Sequence, residues 1–185
     1  MFLTSLNPVP ASQTPTQARL AGLPSGPAGT AATLRHMREF VRTALRDSNQ
    51  TVRLTALRLI GGVPQRQWMN EIRELHRFVR DQVRYTRDPD GMELVQSPEK
   101  TLELRQGDCD DKSTLLAALL KSVGHPAQFV AVGFRGQPFS HVYVETQIKR
   151  TGSQVKDWLP LETILPGKNP GWYPKGVTSR YVLRV

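Results

Sequence analysis

At 185 residues, 38% hydrophobic and 22% charged, the chain is long enough for one globular domain with appendages and a sizeable core. Twenty-five Lys and Arg against 16 Asp and Glu give a net charge of +9, which directs attention to acidic partners. The single cysteine excludes an internal disulfide, and no apolar stretch approaches membrane-spanning length.

Residues 1–30 read as an extended Pro/Gly-rich arm. Pro8, Pro10, Pro15, Pro24 and Pro27 stand among Ser, Thr, Ala and Gly, and Arg19 is the one charged residue. Such a stretch cannot bury enough surface to fold alone, so any order in it must come from the rest of the chain or a neighbour. Met1, Phe2, Leu3 and Leu6 supply a small apolar anchor at its tip. The first residues lack the basic region and continuous apolar core of a Sec signal peptide.

Residues 31–84 read as helical. Leu34, Met37, Val41 and Leu45 recur at helix spacing, with Phe40 widening the stripe, and Val52 to Ile60 form a shorter helix ended by Gly61 and Gly62. After Pro64 the stripe resumes with Trp68, Ile72, Leu75, Val79 and Val83. Residues 31–64 are assigned to a helical extension and 65–185 to the main domain. The helical region holds eleven Arg against five acids, or +6 of the total +9. These arginines are spread around the helices without an aromatic-interleaved platform. That favours a solvated face or an acidic protein partner over nucleic acid. His36, His76 and His125 have no ligand-spaced partners and read as structural. Asp88-Pro89-Asp90-Gly91 reads as a surface turn, and no loop has EF-hand spacing, so neither a metal nor a cofactor is expected.

The lone cysteine, Cys109, lies in Gly107-Asp108-Cys109-Asp110-Asp111-Lys112, ahead of an apolar run from Leu115 to Leu120. Asp108 is a good N-cap and Asp111 completes a variant of the capping box. The helix should run from Cys109 to Val123, closed by Gly124 and Pro126. A thiol in its first turn feels the positive end of the helix dipole, which favours thiolate. A buried, inert cysteine on an apolar helix is the alternative.

Residues 138–148 and 155–164 read as the strands of a hairpin. A turn centred near Thr151 and Gly152 places Val142 opposite Leu161 and Val144 opposite Leu159. The same register puts His141 opposite Glu162 on the other face, with β-carbons roughly 5 Å apart. Asp157, the rival acid, then points to the Val142 face. Trp158 shares the His141 face, as a cleft wall or as simple packing. Cys109, His141 and Glu162 supply a nucleophile, a base and a group that orients the base. The Cys109 backbone N–H is placed to stabilise an oxyanion, with Tyr85 or Gln106 as candidates for a second donor. Residues 165–185 read as a Pro/Gly-rich loop and a last strand near Arg180–Val185, with Trp172 and Tyr173 covering the site, a sheet edge or the loop itself.

The run from Val83 to Phe134, followed by SHVYVET and WLPLE, resembles the transglutaminase-like superfamily over about residues 65–165. The resemblance implies a papain-like α+β fold: a central Cys-bearing helix packed on an antiparallel sheet, here with an N-terminal helical extension. It implies Cys109, His141 and Glu162 as the catalytic set, with Glu162 where the family usually carries Asp. Members include peptidases, amidases, cross-linking acyltransferases and proteins that have lost activity. The chain also resembles short members encoded among the tail genes of tailed bacteriophages. That implies a virion tail component, made in the host cytoplasm, that meets other tail proteins through its arm and basic helices. Its substrate would be peptide-like, either a peptidoglycan cross-bridge or a phage protein. A catalytically silent tail-tip or assembly protein, and a cytoplasmic enzyme unrelated to virions, are the alternatives.

Overall fold

The computed structural model describes residues 19–20, 26–89, 94–149 and 156–185. Strand β1 (Arg19–Leu20) precedes three helices, α1 (Gly26–Arg46), α2 (Thr51–Ile60) and α3 (Trp68–Gln82). The short elements β2 (Arg84–Tyr85), β3 (Leu94–Val95), α4 (Pro98–Leu104) and β4 (Gln106–Gly107) lead into α5 (Cys109–Ser122). Strands β5 (Ala127–Phe134), β6 (Phe139–Lys149), β7 (Lys156–Leu161) and β8 (Val177–Arg184) complete the chain.

Helix α5 organises the core. Every residue from Asp110 to Leu120 is buried, and a helix buried all round must be surrounded by other elements. Helices α1 to α4 pack against it, as do β5 and β6. From α1 come Leu34, Met37, Val41 and Ala44, from α2 Val52 and Ala56, and from α3 Ile72, Leu75 and Val79, all buried in the same core as Leu115 to Leu120. Two residues of the helix stripes fall outside it. Leu45 is 39% exposed because the i+3 position from Val41, Ala44, takes the inward place. Trp68 opens α3 and is 53% exposed, lining a surface cavity of about 320 Å³ with Arg66, His125, Gln147 and Ile148.

The main sheet has the order β7-β6-β5-β8, antiparallel throughout. Phe129, Ala131, Val142, Val144 and Leu161 join the α5 core, while Val130, Val132 and Tyr143 form a second cluster. Central β5 is therefore buried on both faces and shows no polar alternation, which hides it in the sequence. Helix α4, capped by Ser97 with Pro98 at its first position, is a further element beyond those read from sequence. The last strand starts at Val177, ahead of the expected Arg180. Parallel β2 and β4 pair Tyr85 with Gly107 and tie the end of α3 to the start of α5. The backbone of Arg19 and Leu20 pairs with β3. The apolar tip of the arm, the hairpin turn at 151–152 and residues 90 and 91 of the surface turn lie outside the described residues.

The hairpin register differs from the sequence reading. Val144, not Val142, faces Leu161, and the ladder continues through Thr146 with Leu159 and Ile148 with Asp157. Strand β7 is displaced by two residues, so Glu162 falls just beyond the last pair and is not directly opposite His141. The apolar pattern selects which face points inward, and a two-residue shift preserves that choice. No helix among the described residues is long and apolar enough to cross a membrane.

Candidate active site

The first turn of α5 is built by its cap. The Asp108 carboxylate accepts from the N–H groups of Asp110 at 2.9 Å and Asp111 at 3.1 Å, and Asp111 accepts from the Asp108 N–H. Asp111 also accepts from the backbone and side-chain N–H groups of Gln96, at 2.7 and 2.8 Å. Burial, then the charge of Asp108, raises the Asp111 carboxyl to about 7. Gly107 makes room for this arrangement: a β-carbon there would lie 2.5 Å from that of Asp111.

Cys109 is half-buried at the head of the helix. Its sulfur accepts from the Val142 backbone N–H and lies 3.5 Å from an Asp110 carboxylate oxygen. Ser113 Oγ donates to the Val142 carbonyl at 3.3 Å, so both backbone groups of Val142 are tied to α5. Burial pushes the thiol well above its ordinary value, and the Asp110 and Asp108 charges add to that rise. The Val142 N–H opposes it more weakly. The helix dipole alone suggested the opposite direction; desolvation and two adjacent carboxylates outweigh it.

His141 precedes Val142 on β6. Its Nε2 lies 2.7 Å from Glu162 Oε2, and its ring stacks on Tyr143 with centroids 6.2 Å apart. Glu162 is almost fully buried, and its other carboxylate oxygen accepts from the Ile164 N–H at 2.8 Å. Burial acts to raise its pKa. The His141 hydrogen bond and charge, with the Ile164 and Thr163 N–H groups, overcome this and hold it below the ordinary 4.5. His76 Nε2 donates to the Glu162 carbonyl at 2.6 Å, and burial lowers the pKa of that imidazole. The sequence marks His76 as structural but does not show what it holds.

The structure thus joins His141 to Glu162 and Cys109 to Val142. Among the described residues no hydrogen bond joins Cys109 to His141. Tyr85 is 42% exposed, and Gln106 Oε1 accepts from Arg84, so neither side chain is drawn toward the thiol by a contact. Trp158 pairs with Gln147, six positions along β6 from His141 or roughly 20 Å at strand spacing, and packs at the far end of the hairpin. Trp172 carries the Lys168 ammonium over its ring, while Tyr173 is exposed. His125 pairs with Glu71 at 2.8 Å. Asp108, Cys109 and Asp110 have ligand atoms within 4.8 Å of one another, but the Asp108 carboxylate already caps α5.

A family model, the transglutaminase-like superfamily, matches residues 55–163, more than half of the chain. Comparison with curated proteins gives no match. Among solved structures, one described as "a putative protease" from Parabacteroides distasonis superposes with a TM-score of 0.51 at 12% identity, covering 73% of this chain and 34% of that one. Another, "a putative cysteine protease" from Cytophaga hutchinsonii, gives 0.50 at 14% identity, covering 80% of this chain and 51% of that one. At these identities the likeness is one of fold, and the chain spans about half or less of either neighbour.

Proposed function

The chain belongs to the transglutaminase-like superfamily, and from that premise we propose that it is a cysteine hydrolase cleaving an amide or peptide bond. Cys109 is the nucleophile, His141 the base and Glu162 the group that orients the imidazole. The buried hydrogen bond from His141 Nε2 to Glu162 Oε2 carries this reading, because it leaves Nδ1 as the nitrogen for the thiol. The tie of the sulfur to Val142 holds the nucleophile beside the same strand.

The thiol passes its proton to Nδ1 as sulfur bonds to the carbonyl carbon. Nδ1 then protonates the departing amine as the C–N bond breaks, leaving a thioester. Water, losing a proton to the same nitrogen, cleaves the thioester to an acid and restores the thiol. The cap and first turn take the N–H groups of Asp110, Asp111 and Lys112. The Cys109 N–H therefore remains as the oxyanion donor. A neutral thiol suits this general-base route, which needs no preformed ion pair.

In this reading residues 65–185 are the hydrolase domain, 31–64 its helical extension and 1–30 an arm whose last residues, from Gly26 on, already belong to α1. The setting is a bacteriophage tail, with a peptidoglycan peptide or phage protein as substrate and other tail proteins as partners. Resemblance to short tail-associated members is the support for that setting. A second reading, a silent structural tail protein on the same fold, is favoured by the raised thiol and by the lack of a Cys109–His141 hydrogen bond among the described residues.

The test is iodoacetamide alkylation of Cys109, the sole thiol, followed between pH 5 and 10 in the wild type and in His141→Ala. The hydrolase reading expects the neutral-pH rate to fall about 10²-fold in the variant, the low end of general-base effects. Superimposable profiles favour the silent protein.

A further inference from the structure

Glu162 holds His141 at one atom, and one hydrogen bond fixes a point without fixing a plane. With Nε2 tied to Glu162 Oε2 at 2.7 Å, the imidazole can still tilt about the line from its β-carbon to Nε2. The ring torsion of a histidine is broad, with no sharp staggered well to resist such a tilt. Tilting swings Nδ1, the nitrogen left for the thiol. Something else must therefore set the plane of the ring.

Tyr143 lies against that plane. Residues two apart on a strand share a face, and the Tyr143 and His141 rings stack with centroids 6.2 Å apart and planes within 28° of parallel, inside the range of aromatic pairs. Tyr143 is buried and packs with Val130 and Val132 of β5, which stand opposite Tyr143 and His141 in the ladder. Its Oη donates to Glu145 Oε1 at 3.4 Å. Glu145 is buried in turn, and its Oε2 accepts from Gln128 Nε2 and from Arg180 Nη2, each at 2.7 Å. A buried carboxylate held by a guanidinium and an amide keeps a fixed position. No step of the reaction uses Tyr143, Glu145, Gln128 or Arg180, yet they form one connected row across β5, β6 and β8 that ends on the His141 ring.

We propose that Tyr143 is a positioning residue of this site: its ring is the shelf that sets the plane of the His141 imidazole and so aims Nδ1. Glu162 fixes one ring nitrogen and Tyr143 fixes the face, and the two together remove the tilt that either would leave free. An aliphatic side chain of similar size would fill the space and offer no flat surface. The benefit to the reaction rests on His141 being the base, as argued above; the orientation of the ring does not.

The experiment measures ¹³C relaxation at the His141 ring in protein labelled at histidine Cε1, with His141→Gln assigning the signal among the four histidines. In the wild type the ring should be as ordered as rigid backbone, with an order parameter of about 0.85, and in Tyr143→Leu it should fall below about 0.6. Tyr143→Phe keeps the flat face and its packing and should keep the order. A purely packing role would lower the melting temperature of Tyr143→Leu and leave the ring ordered, and an unchanged order parameter overturns the proposal. So does a ring loosened equally by phenylalanine. Should Tyr143→Leu fail to fold, the wild type decides: a value of about 0.85 upholds the shelf and one below about 0.6 overturns it. Neutral-pH alkylation of Cys109 should also fall about tenfold in Tyr143→Leu and hold in Tyr143→Phe, less than the roughly 10²-fold cost of a fully misplaced group. Alkylation that needs His141 but is unslowed in Tyr143→Leu overturns the positioning role. Ring order is read without a reactive thiol. Alkylation indifferent to His141, with a ring that loosens in Tyr143→Leu, would therefore sink the hydrolase reading and spare the shelf.

Discussion

His141 and Glu162 are hydrogen-bonded at 2.7 Å although they are out of step across the hairpin, where Val144 rather than Val142 pairs with Leu161. The contact survives because glutamate's extra methylene reaches diagonally from a position just past the ladder. Glu162→Gln keeps the shape and removes the charge. Cys109 alkylation at neutral pH should fall about 10²-fold, as for loss of a group that orients a base. The Glu162 carboxyl sits below its ordinary 4.5 in the fold, so its contribution to stability is present above that value and is lost as pH falls through the lower folded-state value. Melting temperatures from pH 2 to 7 should therefore separate wild type from variant at neutral pH and converge in acid. Parallel curves would mean the carboxylate is not held as described.

The thiol offers a second prediction, of opposite sign. Asp110 lies 3.5 Å from the sulfur, and its charge is the second largest cause of the raised thiol after burial. Asp110→Asn removes that charge while the backbone N–H of residue 110 can still meet the Asp108 cap. The variant should alkylate about three- to tenfold faster at pH 7, corresponding to a thiol lowered by up to one unit. An unchanged rate would show that the Asp110 charge does not restrain Cys109.

Much of this site is written in local sequence. Asp108 and Asp111 form the expected capping box, α5 begins at Cys109, and odd-numbered β6 residues share a face with even-numbered β7 residues as the apolar pattern requires. The exact offset of the hairpin was not legible, because shifting β7 by two residues leaves the same side chains facing inward. The direction of the thiol shift was not legible either. The dipole is a property of the helix alone, whereas desolvation comes with the tertiary burial of α5 by other elements, Val142 of β6 among them at more than thirty positions away. His76 and Lys112 were hidden for a related reason. Each sits in an ordinary helical pattern, and only the fold brings His76 to the Glu162 carbonyl and Lys112 to the carbonyl of Val83 at the end of α3.

His76 predicts a pH dependence of the whole fold. Burial lowers its imidazole below the ordinary 6.5, so its contribution to stability is present above 6.5 and is lost as pH falls through the folded-state value. His76→Gln can still donate to the Glu162 carbonyl but cannot titrate. It should cost about 1–2 kcal/mol at pH 7.5 from imperfect filling of the site and show a flatter stability curve between pH 6.5 and 5. Urea midpoints at half-unit pH intervals make the comparison. Equal slopes in the two proteins would remove His76 as the source.

Gly107 provides the strictest geometric test. Its backbone pairs with Tyr85, and it immediately precedes the Asp108 cap. A β-carbon at 107 would lie 2.5 Å from Asp111 Cβ and 2.7 Å from Asp111 Oδ2. Asp111 cannot swing aside freely, since its carboxylate holds Gln96 through two bonds and closes the capping box on Asp108. Gly107→Ala must therefore displace the first turn of α5, and with it Cys109. The overpacking should cost about 1–3 kcal/mol, read as a lower urea midpoint. Asp111→Gly should lose stability too, by losing the cap, the Gln96 bonds and helix propensity. The double variant distinguishes clash from simple sensitivity. If the alanine at 107 is harmful because it meets Asp111, adding Asp111→Gly, which removes the β-carbon as well as the carboxylate, should cost clearly less than the two single losses together, giving a coupling above about 0.5 kcal/mol. Additive losses would mean that Gly107 is required for some reason other than the close approach of Asp111.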